Sequence, residues 1–154
     1  MVEGVRLIPL LRHEDERGWF MELMRASGLP QPVKQSNLSS SRKGVIRGLH
    51  YHERGQSDLF ACLQGMVRVV VLDRESGETF TADIGDENPA AVYIPGHHAH
   101  GYEALTDCLF LYHVTEEYDP DDPDEHGVAW NDERVAHLWS TQSPILSERD
   151  AASS

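Results

Sequence analysis

Short apolar segments, each separated from the next by turn-forming residues, constrain the fold of this chain more than any other feature of its sequence. Gly, Pro, Asp, Asn and Ser clusters lie between the segments, a spacing typical of strands joined by tight turns. The predicted strands span residues 5–11, 45–51, 59–63, 66–72, 79–84, 91–94 and 108–114. The pattern therefore predicts an antiparallel sandwich or barrel.

The length of 154 residues suits a single domain covering 1–154. One stretch, residues 19–27 (WFMELMRAS), could form a helix of about two turns. The last residues, 151–154 (AASS), are small and polar, and we expect a disordered tail there.

Several features favour a cytoplasmic protein with no membrane partner. No apolar run approaches the roughly 20 residues that cross a bilayer, and the first residues lack the apolar core and cleavage site of a signal peptide. Cys62 and Cys108 each lie inside an apolar segment. We expect both to be buried, reduced thiols.

The charge of the chain is strongly asymmetric. Residues 1–74 carry a net charge of +3 and residues 75–154 carry −16, which together give −13. A field this acidic repels a nucleic-acid backbone and argues against a DNA or RNA partner. The basic residues of the first half could still serve a small anion such as a nucleotide diphosphate. Residues 116–126 hold seven carboxylates and two prolines, which predicts a solvated loop rather than a central strand.

The histidines of the chain cluster in two segments. His50 and His52 are two residues apart, and further histidines lie within 97–100. Residues i and i+2 of a strand point to the same face, so we expect His50 and His52 to project together. Beside Arg47, in a barrel that encloses a cavity, such a pair points to function.

An ordered series of motifs extends along almost the whole chain, from about residue 7 to 150. The motifs lie at 15–22 (DERGWFME), 35–37 (QSN), 44–46 (GVI), 47–51 (RGLHY), 94–95 (IP), 99–101 (AHG), 111–112 (LY), 130–132 (WND) and 147–150 (SERD). This set resembles the dTDP-4-dehydrorhamnose 3,5-epimerase family, cupin-type β-barrels that act on nucleotide-linked 4-keto-6-deoxy sugars. The resemblance implies an all-β cupin (jelly-roll) antiparallel barrel, a homodimer, and epimerisation at C3, C5 or both without a cofactor, in deoxysugar biosynthesis.

The resemblance also implies roles for individual residues. His50 is the base that removes the proton beside the ketone, Asp150 orients its ring, and Tyr112 returns a proton on the opposite face. Because His50 and Asp150 are about a hundred residues apart, they can meet only if the C-terminal segment folds back over the barrel mouth. The substrate-binding positions assigned in this way are Arg17, Glu22, Gln35, Asn37, Arg47, His52, Asp58 and His100. Arg17 and Arg47 suit the diphosphate, because a guanidinium can donate two hydrogen bonds to phosphate oxygens.

The chain departs from the family pattern around Asp58. The family lysine that holds the ketone oxygen as it becomes an enolate is replaced here by Asp58, within Gln56-Ser57-Asp58. An aspartate beside a developing oxyanion opposes the reaction unless a positive charge neutralises it. His52 stands where the family often has glutamine, and Ala61 where it has arginine.

Two interpretations of Asp58 follow. In the first, which we adopt, Asp58 pairs with His52, no metal is bound, and the pKa of His52 is raised by the neighbouring carboxylate. In the second, the spacing of these residues resembles the metal motifs of the wider cupin superfamily, which implies a metal such as Zn²⁺, Mn²⁺, Fe²⁺ or Ni²⁺ held by three histidines and one carboxylate. That set comprises His50, His52, Asp58 and His100. Alternative functions are therefore a metal-dependent cupin enzyme acting on another small molecule, or a non-catalytic cupin that binds sugar nucleotides.

Overall fold

The structure, a computed structural model, describes residues 1–153 and consists mostly of short strands. The strands are β1 (Arg6–Pro9), β2 (His13–Asp15), β3 (Gly18–Phe20), β4 (Gln35–Ser41), β5 (Ile46–Tyr51), β6 (Ser57–Gln64), β7 (Met66–Leu72), β8 (Thr79–Gly85), β9 (Ala90–Pro95), β10 (Ala99–Ala104), β11 (Cys108–Val114) and β12 (His126–Gly127). Helix α1 covers Glu148–Ala152, and 3₁₀ turns lie at Ala26–Gly28 and Ala136–Leu138. No helix within residues 1–153 has the length and apolar character needed to cross a membrane.

Among the described residues, ten strands form two five-stranded antiparallel sheets, and β2 and β3 form a separate hairpin. The first sheet has the order β1-β9-β6-β11-β4, and the second has the order β12-β5-β10-β7-β8. Side chains of both sheets belong to one apolar core, so the two sheets face each other. This double-sheet arrangement is the jelly-roll form of an antiparallel barrel, and it confirms the predicted all-β class.

Aromatic side chains from both sheets fill the centre of the core. On the first sheet, Phe60 of β6 and Phe110 of β11 meet edge to face, with ring centroids 4.9 Å apart. On the second, the Tyr102 ring of β10 stacks on Phe110 at 3.9 Å. Such aromatic pairs add to the stabilisation gained from area burial. Phe110 therefore joins the two sheets.

The chain after β12 crosses the outer face of the second sheet. Val135 and Trp139 are buried there against Ile46 and Leu72. The Trp139 indole Nε1 donates a 2.8 Å hydrogen bond to the Trp130 carbonyl, which satisfies its polar atom inside an apolar layer. This packing brings the C-terminal residues back to the open end of the barrel, where Asp150 reaches His50.

Most of the predicted strands are confirmed, and 66–72 and 108–114 coincide with β7 and β11. Strand β4 was not predicted, because its sequence QSNLSSS is polar. Its inward side chains bind polar groups of the interior: the Ser39 and Ser41 hydroxyls each hydrogen-bond the Tyr102 hydroxyl at 3.0 Å. Strand β10 and the β2–β3 hairpin were also missed.

The helix predicted at 19–27 is wrong. Trp19 and Phe20 belong to β3, where they pair with Glu14 and His13 of β2, and a helix is reduced to the 3₁₀ turn at Ala26–Gly28. Hairpin pairing replaces helical hydrogen bonds in this segment, and the turn between β2 and β3 is closed by the Arg17 backbone N–H donating to the Asp15 carboxylate at 2.8 Å.

The disordered tail predicted at 151–154 is also wrong for its first two residues. Ala151 and Ala152 belong to α1. The Ser147 hydroxyl caps this helix by accepting a hydrogen bond from the Asp150 backbone N–H, which stabilises the first turn. Ser154, the last residue of that predicted tail, lies outside the described residues.

The position of Phe110 predicts a large loss of stability on truncation. Phe110→Ala should lower the free energy of unfolding by about 3–5 kcal/mol, because it leaves a cavity between the two sheets. Urea titrations followed by circular dichroism measure this loss. Tyr118→Ala, the matched aromatic truncation at an exposed position, should stay within about 0.5 kcal/mol of the parent protein. Equal effects of the two substitutions would contradict the assignment of Phe110 to the core.

Candidate active site

The open end of the barrel is polar because the inward-facing residues of neighbouring strands are polar at that end and aromatic further along. On the inward face of β6, Asp58 precedes Phe60, and on β10, His100 precedes Tyr102. The polar members meet at one end of the two sheets and enclose a cavity of about 650 Å³. Its lining includes Arg47, His50, His52, Asp58, His100 and Tyr112. A cavity of this size with converging polar groups suits a small-molecule ligand.

A second cavity of about 680 Å³ adjoins the first and shares His52, Gln56 and Tyr112 with it. Gln35 and Asn37 line this second cavity, together with residues of the acidic segment. The two amide side chains are joined by a 2.9 Å hydrogen bond from Gln35 Nε2 to Asn37 Oδ1. The arrangement gives a bound molecule room to extend from one cavity into the other.

The acidic segment 116–126, predicted from the sequence to be a solvated loop, is hydrogen-bonded to residues beside the cavity. The Asp124 carboxylate accepts hydrogen bonds from the backbone N–H groups of Glu53 and Arg54, at 3.0 and 2.8 Å. The Asp124 carbonyl accepts a 2.6 Å hydrogen bond from His52 Nδ1. These bonds make the segment a wall of the site, a role that its charge alone did not indicate.

His50 and Asp150 form a hydrogen-bonded pair at the cavity. His50 Nε2 donates to Asp150 Oδ1 at 2.7 Å, and the Gly48 backbone N–H donates to Asp150 Oδ2 at 3.2 Å. Burial acts to raise the pKa of Asp150, but the hydrogen bond and charge of His50 outweigh it and hold that pKa below its ordinary value. The predicted meeting of these two distant residues is confirmed.

Two glycines let β5 and β10 approach each other closely beside His50. A Cβ atom on Gly101 would lie 2.3 Å from the Arg47 carbonyl oxygen, and one on Gly48 would lie 2.8 Å from the Gly101 Cα. Gly48 also has a φ of +130°, which disfavours other residues. The pairing of the two strands is irregular at this point, and it sets His50 opposite His100.

An ion pair next to His50 was not predicted from the sequence. Arg149 Nη1 lies 2.8 Å from Glu125 Oε2, and Arg149 Nη2 lies 3.0 Å from His50 Nε2. Glu125 Oε1 lies 3.8 Å from the other ring nitrogen, Nδ1. His50 therefore lies between the positive charge of Arg149 and the negative charge of Glu125. The only sequence signal for this arrangement is that Arg149 is adjacent to Asp150.

Tyr112 faces the cavity from the first sheet, whereas His50 lies on the second. Burial of the phenol raises the pKa of Tyr112, and the negative charge of Asp58 raises it further. Tyr112 therefore stays protonated at neutral pH and can donate a proton. A proton acceptor and a proton donor thus reach one cavity from opposite sheets.

His52, Asp58 and His100 form a buried cluster at the base of the cavity. Asp58 Oδ2 lies 3.2 Å from His100 Nε2, and Asp58 Oδ1 lies 3.7 Å from His52 Nε2. Burial acts to lower the pKa of His100, but the charge and hydrogen bond of Asp58 raise it overall. Burial also acts to raise the pKa of Asp58, and the two histidines lower it. Asp58 is thus stabilised as a carboxylate.

The raised pKa expected for His52 is wrong. Burial lowers the pKa of His52, and the positive charge of His100 lowers it further. The Asp58 carboxylate lies closer to His100 Nε2, at 3.2 Å, than to His52 Nε2, at 3.7 Å. The predicted contact between His52 and Asp58 is present, but His100 is the nearer partner of Asp58. Of the four side chains considered for a metal, His52, Asp58 and His100 lie together, whereas Nε2 of His50 is bonded to Asp150.

Arg47 also reaches the cavity. Its guanidinium donates to the Ser41 hydroxyl at 2.9 Å and to the Ser40 carbonyl at 3.1 Å. These bonds to β4 hold the side chain in place while one of its faces stays accessible to an anion. Binding of a diphosphate by Arg47 stays a prediction.

Arg17 and Glu22 are placed away from the cavities that hold the other assigned residues. Arg17 lies in the turn between β2 and β3, with 85% of its side chain exposed, and pairs with Asp15. Glu22 pairs with Arg25 at 2.8 Å. Within residues 1–153 neither side chain lines the cavity of His50 or the adjoining one.

The chain is similar over its whole length to proteins of one family. The family described as dTDP-4-dehydrorhamnose 3,5-epimerase matches residues 1–154. The chain is 38% identical over 150 residues to the spore coat polysaccharide biosynthesis protein SpsL of Bacillus subtilis (92% of this chain, 99% of that protein). It is 37% identical over 150 residues to a dTDP-4-dehydrorhamnose 3,5-epimerase of Shigella flexneri (88% and 82%). Among solved structures, the RmlC epimerase of Legionella pneumophila in complex with dTDP-4-keto-L-rhamnose has a TM-score of 0.87 and 30% identity (98% and 87%).

The lowered pKa of Asp150 predicts a pH-dependent contribution to stability. A carboxyl group whose pKa is lower in the folded state stabilises the protein above its unfolded pKa, about 3.9, and loses that effect as the pH falls through the folded pKa. Asp150→Asn should therefore be less stable than the parent at neutral pH, and the difference should shrink below about pH 4. Urea titrations at several pH values measure this difference.

Glu148→Gln, an exposed substitution on the same helix, is the control for Asp150→Asn. It should change the free energy of unfolding by about 0.5 kcal/mol or less at every pH. A stability difference for Asp150→Asn that persists unchanged at acidic pH would contradict its assignment to the ionised carboxylate of Asp150.

Proposed function

The chain belongs to the dTDP-4-dehydrorhamnose 3,5-epimerase family, and we propose that it inverts C3, C5 or both of a nucleotide-linked 4-keto-6-deoxyhexose. The His50–Asp150 pair facing Tyr112 across one cavity is the observation that carries this proposal. Solved relatives hold dTDP-4-keto-L-rhamnose and dTDP-quinovose, which supports a dTDP-linked sugar. These relatives favour an epimerase over a metal-dependent enzyme of another class or a binding protein.

Proton abstraction begins at His50. Because Asp150 accepts the proton of Nε2, the neutral ring carries its lone pair on Nδ1, and this is the atom that takes the proton from carbon. The negative charge of Asp150 then stabilises the imidazolium that forms. Removal of a proton next to the ketone gives an enolate, which is planar at the carbon that lost it.

Reprotonation comes from Tyr112. The phenol approaches the cavity from the sheet opposite His50, so the proton is returned to the other face of the enolate and the configuration is inverted. The raised pKa of Tyr112 keeps the proton available at neutral pH. Arg47 would bind the diphosphate, Gln35 and Asn37 would contact the nucleotide-sugar in the adjoining cavity, and His52, Asp58 and His100 would surround the ketone oxygen.

We infer a homodimer in which the partner subunit supplies Arg17 and Glu22. Neither residue lines a cavity with His50 in its own described chain, and in a dimer a second copy can bring them to the substrate. The segment around Arg17 also exposes large apolar side chains: Leu11 is 68% exposed, Trp19 53% and Phe20 65%. Apolar surface of this kind is typical of an interface.

We infer a cytoplasmic location from the state of the thiols. Cys62 and Cys108 are free, buried and close enough to interact, yet they are not joined by a disulfide. Unlinked neighbouring thiols agree with a reducing compartment.

Solvent-hydrogen exchange tests the assigned acid and base. With a dTDP-4-keto-6-deoxyhexose in D₂O, the protein should incorporate deuterium at C3 or C5, as seen by NMR or mass spectrometry. His50→Ala should abolish incorporation, and Tyr112→Phe should lower turnover about 10²–10⁴-fold, the usual effect of one general acid or base. The control is His113→Ala, which should keep its activity. His113 is next to Tyr112 in the sequence, and its Nδ1 is hydrogen-bonded to Ser36. Full incorporation by His50→Ala would refute its role.

Subunit mixing tests whether Arg17 acts across an interface. Light scattering should report about twice the 17.3 kDa chain mass. The inactive His50→Ala and Arg17→Ala proteins, unfolded together and refolded, should regain about a quarter of the parent activity, because half of the dimers contain one intact site. Each variant refolded alone is the control. A monomeric mass, or no recovery on mixing, would contradict the shared site.

A further inference from the structure

Two histidines and one aspartate converge at the base of the cavity. His52, Asp58 and His100 are each at least nine-tenths buried, and one nitrogen or oxygen atom of each lies within 4.8 Å of the others. They come from three places in the chain: the end of β5, the start of β6 and the start of β10. The fold, and not sequence proximity, brings them together.

Hydrogen bonds fix which ring nitrogens face Asp58. His52 Nδ1 lies 2.6 Å from the Asp124 carbonyl oxygen, and His100 Nδ1 lies 2.8 Å from the His98 carbonyl oxygen. A carbonyl oxygen only accepts, so both Nδ1 atoms carry a proton. Both Nε2 atoms face the Asp58 carboxylate, and they carry the lone pairs when the rings are neutral. His100 Nε2 donates a proton to Asp58 in the metal-free site, and binding of an ion releases that proton. Histidines that bind metals are usually held by an outer hydrogen bond of this kind.

The spacing of these atoms agrees with metal coordination. Two ligand atoms that are each about 2.0–2.1 Å from a tetrahedral Zn²⁺ ion lie about 3.4 Å apart. The observed separations from the Asp58 carboxylate are 3.2 Å to His100 Nε2 and 3.7 Å to His52 Nε2. These two contacts involve different oxygens of Asp58, and the three ligand atoms all lie within 4.8 Å of one another. Binding one ion therefore requires the side chains to move closer together.

We propose that His52, Asp58 and His100 bind one divalent transition-metal ion, such as Zn²⁺, with its remaining position open to the cavity. Two imidazoles and a carboxylate are a typical set for a catalytic ion that keeps one position free for a ligand. Gln56 Nε2 lies 3.2 Å from His52 Nε2 and 3.1 Å from Asp58 Oδ1, so the Gln56 amide is the group that rotates away or presents its oxygen to the ion.

The role of the ion, unlike the site itself, rests on the proposed function. An enolate places negative charge on the former ketone oxygen, and the Asp58 carboxylate at the base of the cavity opposes it. A bound divalent ion changes the charge of the Asp58 position from −1 to a net +1. The ion would then stabilise the enolate oxygen as a Lewis acid, while His50 and Tyr112 continue to transfer the protons.

Titration of the metal-free, full-length protein with Zn²⁺ alone tests the site. Calorimetry should report one tightly bound ion per chain, and Co²⁺ should give the visible absorption of an ion in a nitrogen and oxygen site. Asp58→Asn and His100→Asn should each weaken binding by about 100-fold or more, since losing even an outer partner of a ligand costs about 10–100-fold. His97→Asn, the same substitution at an exposed histidine, should leave binding unchanged.

Several outcomes would overturn the proposed site. These are the absence of stoichiometric binding, binding that survives Asp58→Asn, and binding that His97→Asn removes. The Co²⁺ spectrum of the unaltered protein keeps the test valid if a variant fails to fold.

Deuterium exchange by the same metal-free and Zn²⁺-loaded samples separates the site from the proposed function. Loading should raise the exchange rate by about 10²-fold or more. Equal exchange in the two samples would contradict the role of the ion and leave the epimerase proposal standing. Tight binding with no exchange in either sample would support the site and contradict the epimerase proposal.

Discussion

The alternation of side chains along antiparallel strands is the constraint on which the rest of this structure depends. Every second residue of β6, β10 and β11 points between the two sheets, so the order of residues along each strand is also their order in depth. Phe60, Tyr102 and Phe110 make the deep part apolar. The polar residues one alternation further along then form a single layer at the open end. A shift of one residue in strand pairing would turn this layer outward.

Burial of the Asp58 carboxylate in this polar layer is electrostatically unfavourable. A buried carboxylate is tolerated only when charge and hydrogen bonds compensate for lost hydration. Here His100, His52 and Gln56 surround Asp58, and the carbonyl groups of other segments orient the two histidines. The cluster is therefore a unit: a change at Asp58 alters the protonation preferences of both imidazoles. The same compensation explains why the strongest contact goes to His100, whose pKa rises while that of His52 falls.

The sequence predicted the strands that carry apolar alternation, such as β7 and β11, and it failed where the interior itself is polar. Strand β4 reads QSNLSSS because its inward residues meet Tyr102 and Arg47 rather than apolar side chains. The segment 19–27 has a helical composition, yet hairpin pairing decides its structure. The pairing of His50 with Asp150 followed from family resemblance alone. No local pattern encodes the contacts of Arg149 and Glu125, and the separation of Arg17 from the cavity depends on how the hairpin projects from the sheets.

Asp150 belongs to a five-residue helix that follows all the strands of the described chain. Synthesis proceeds from the N-terminus, at about 5–20 residues per second, so the two sheets leave the ribosome before the carboxylate that orients His50. The sheets can pack around Phe110 while the pair is still incomplete. Translation thus separates the synthesis of the scaffold from the synthesis of the carboxylate that orients the base.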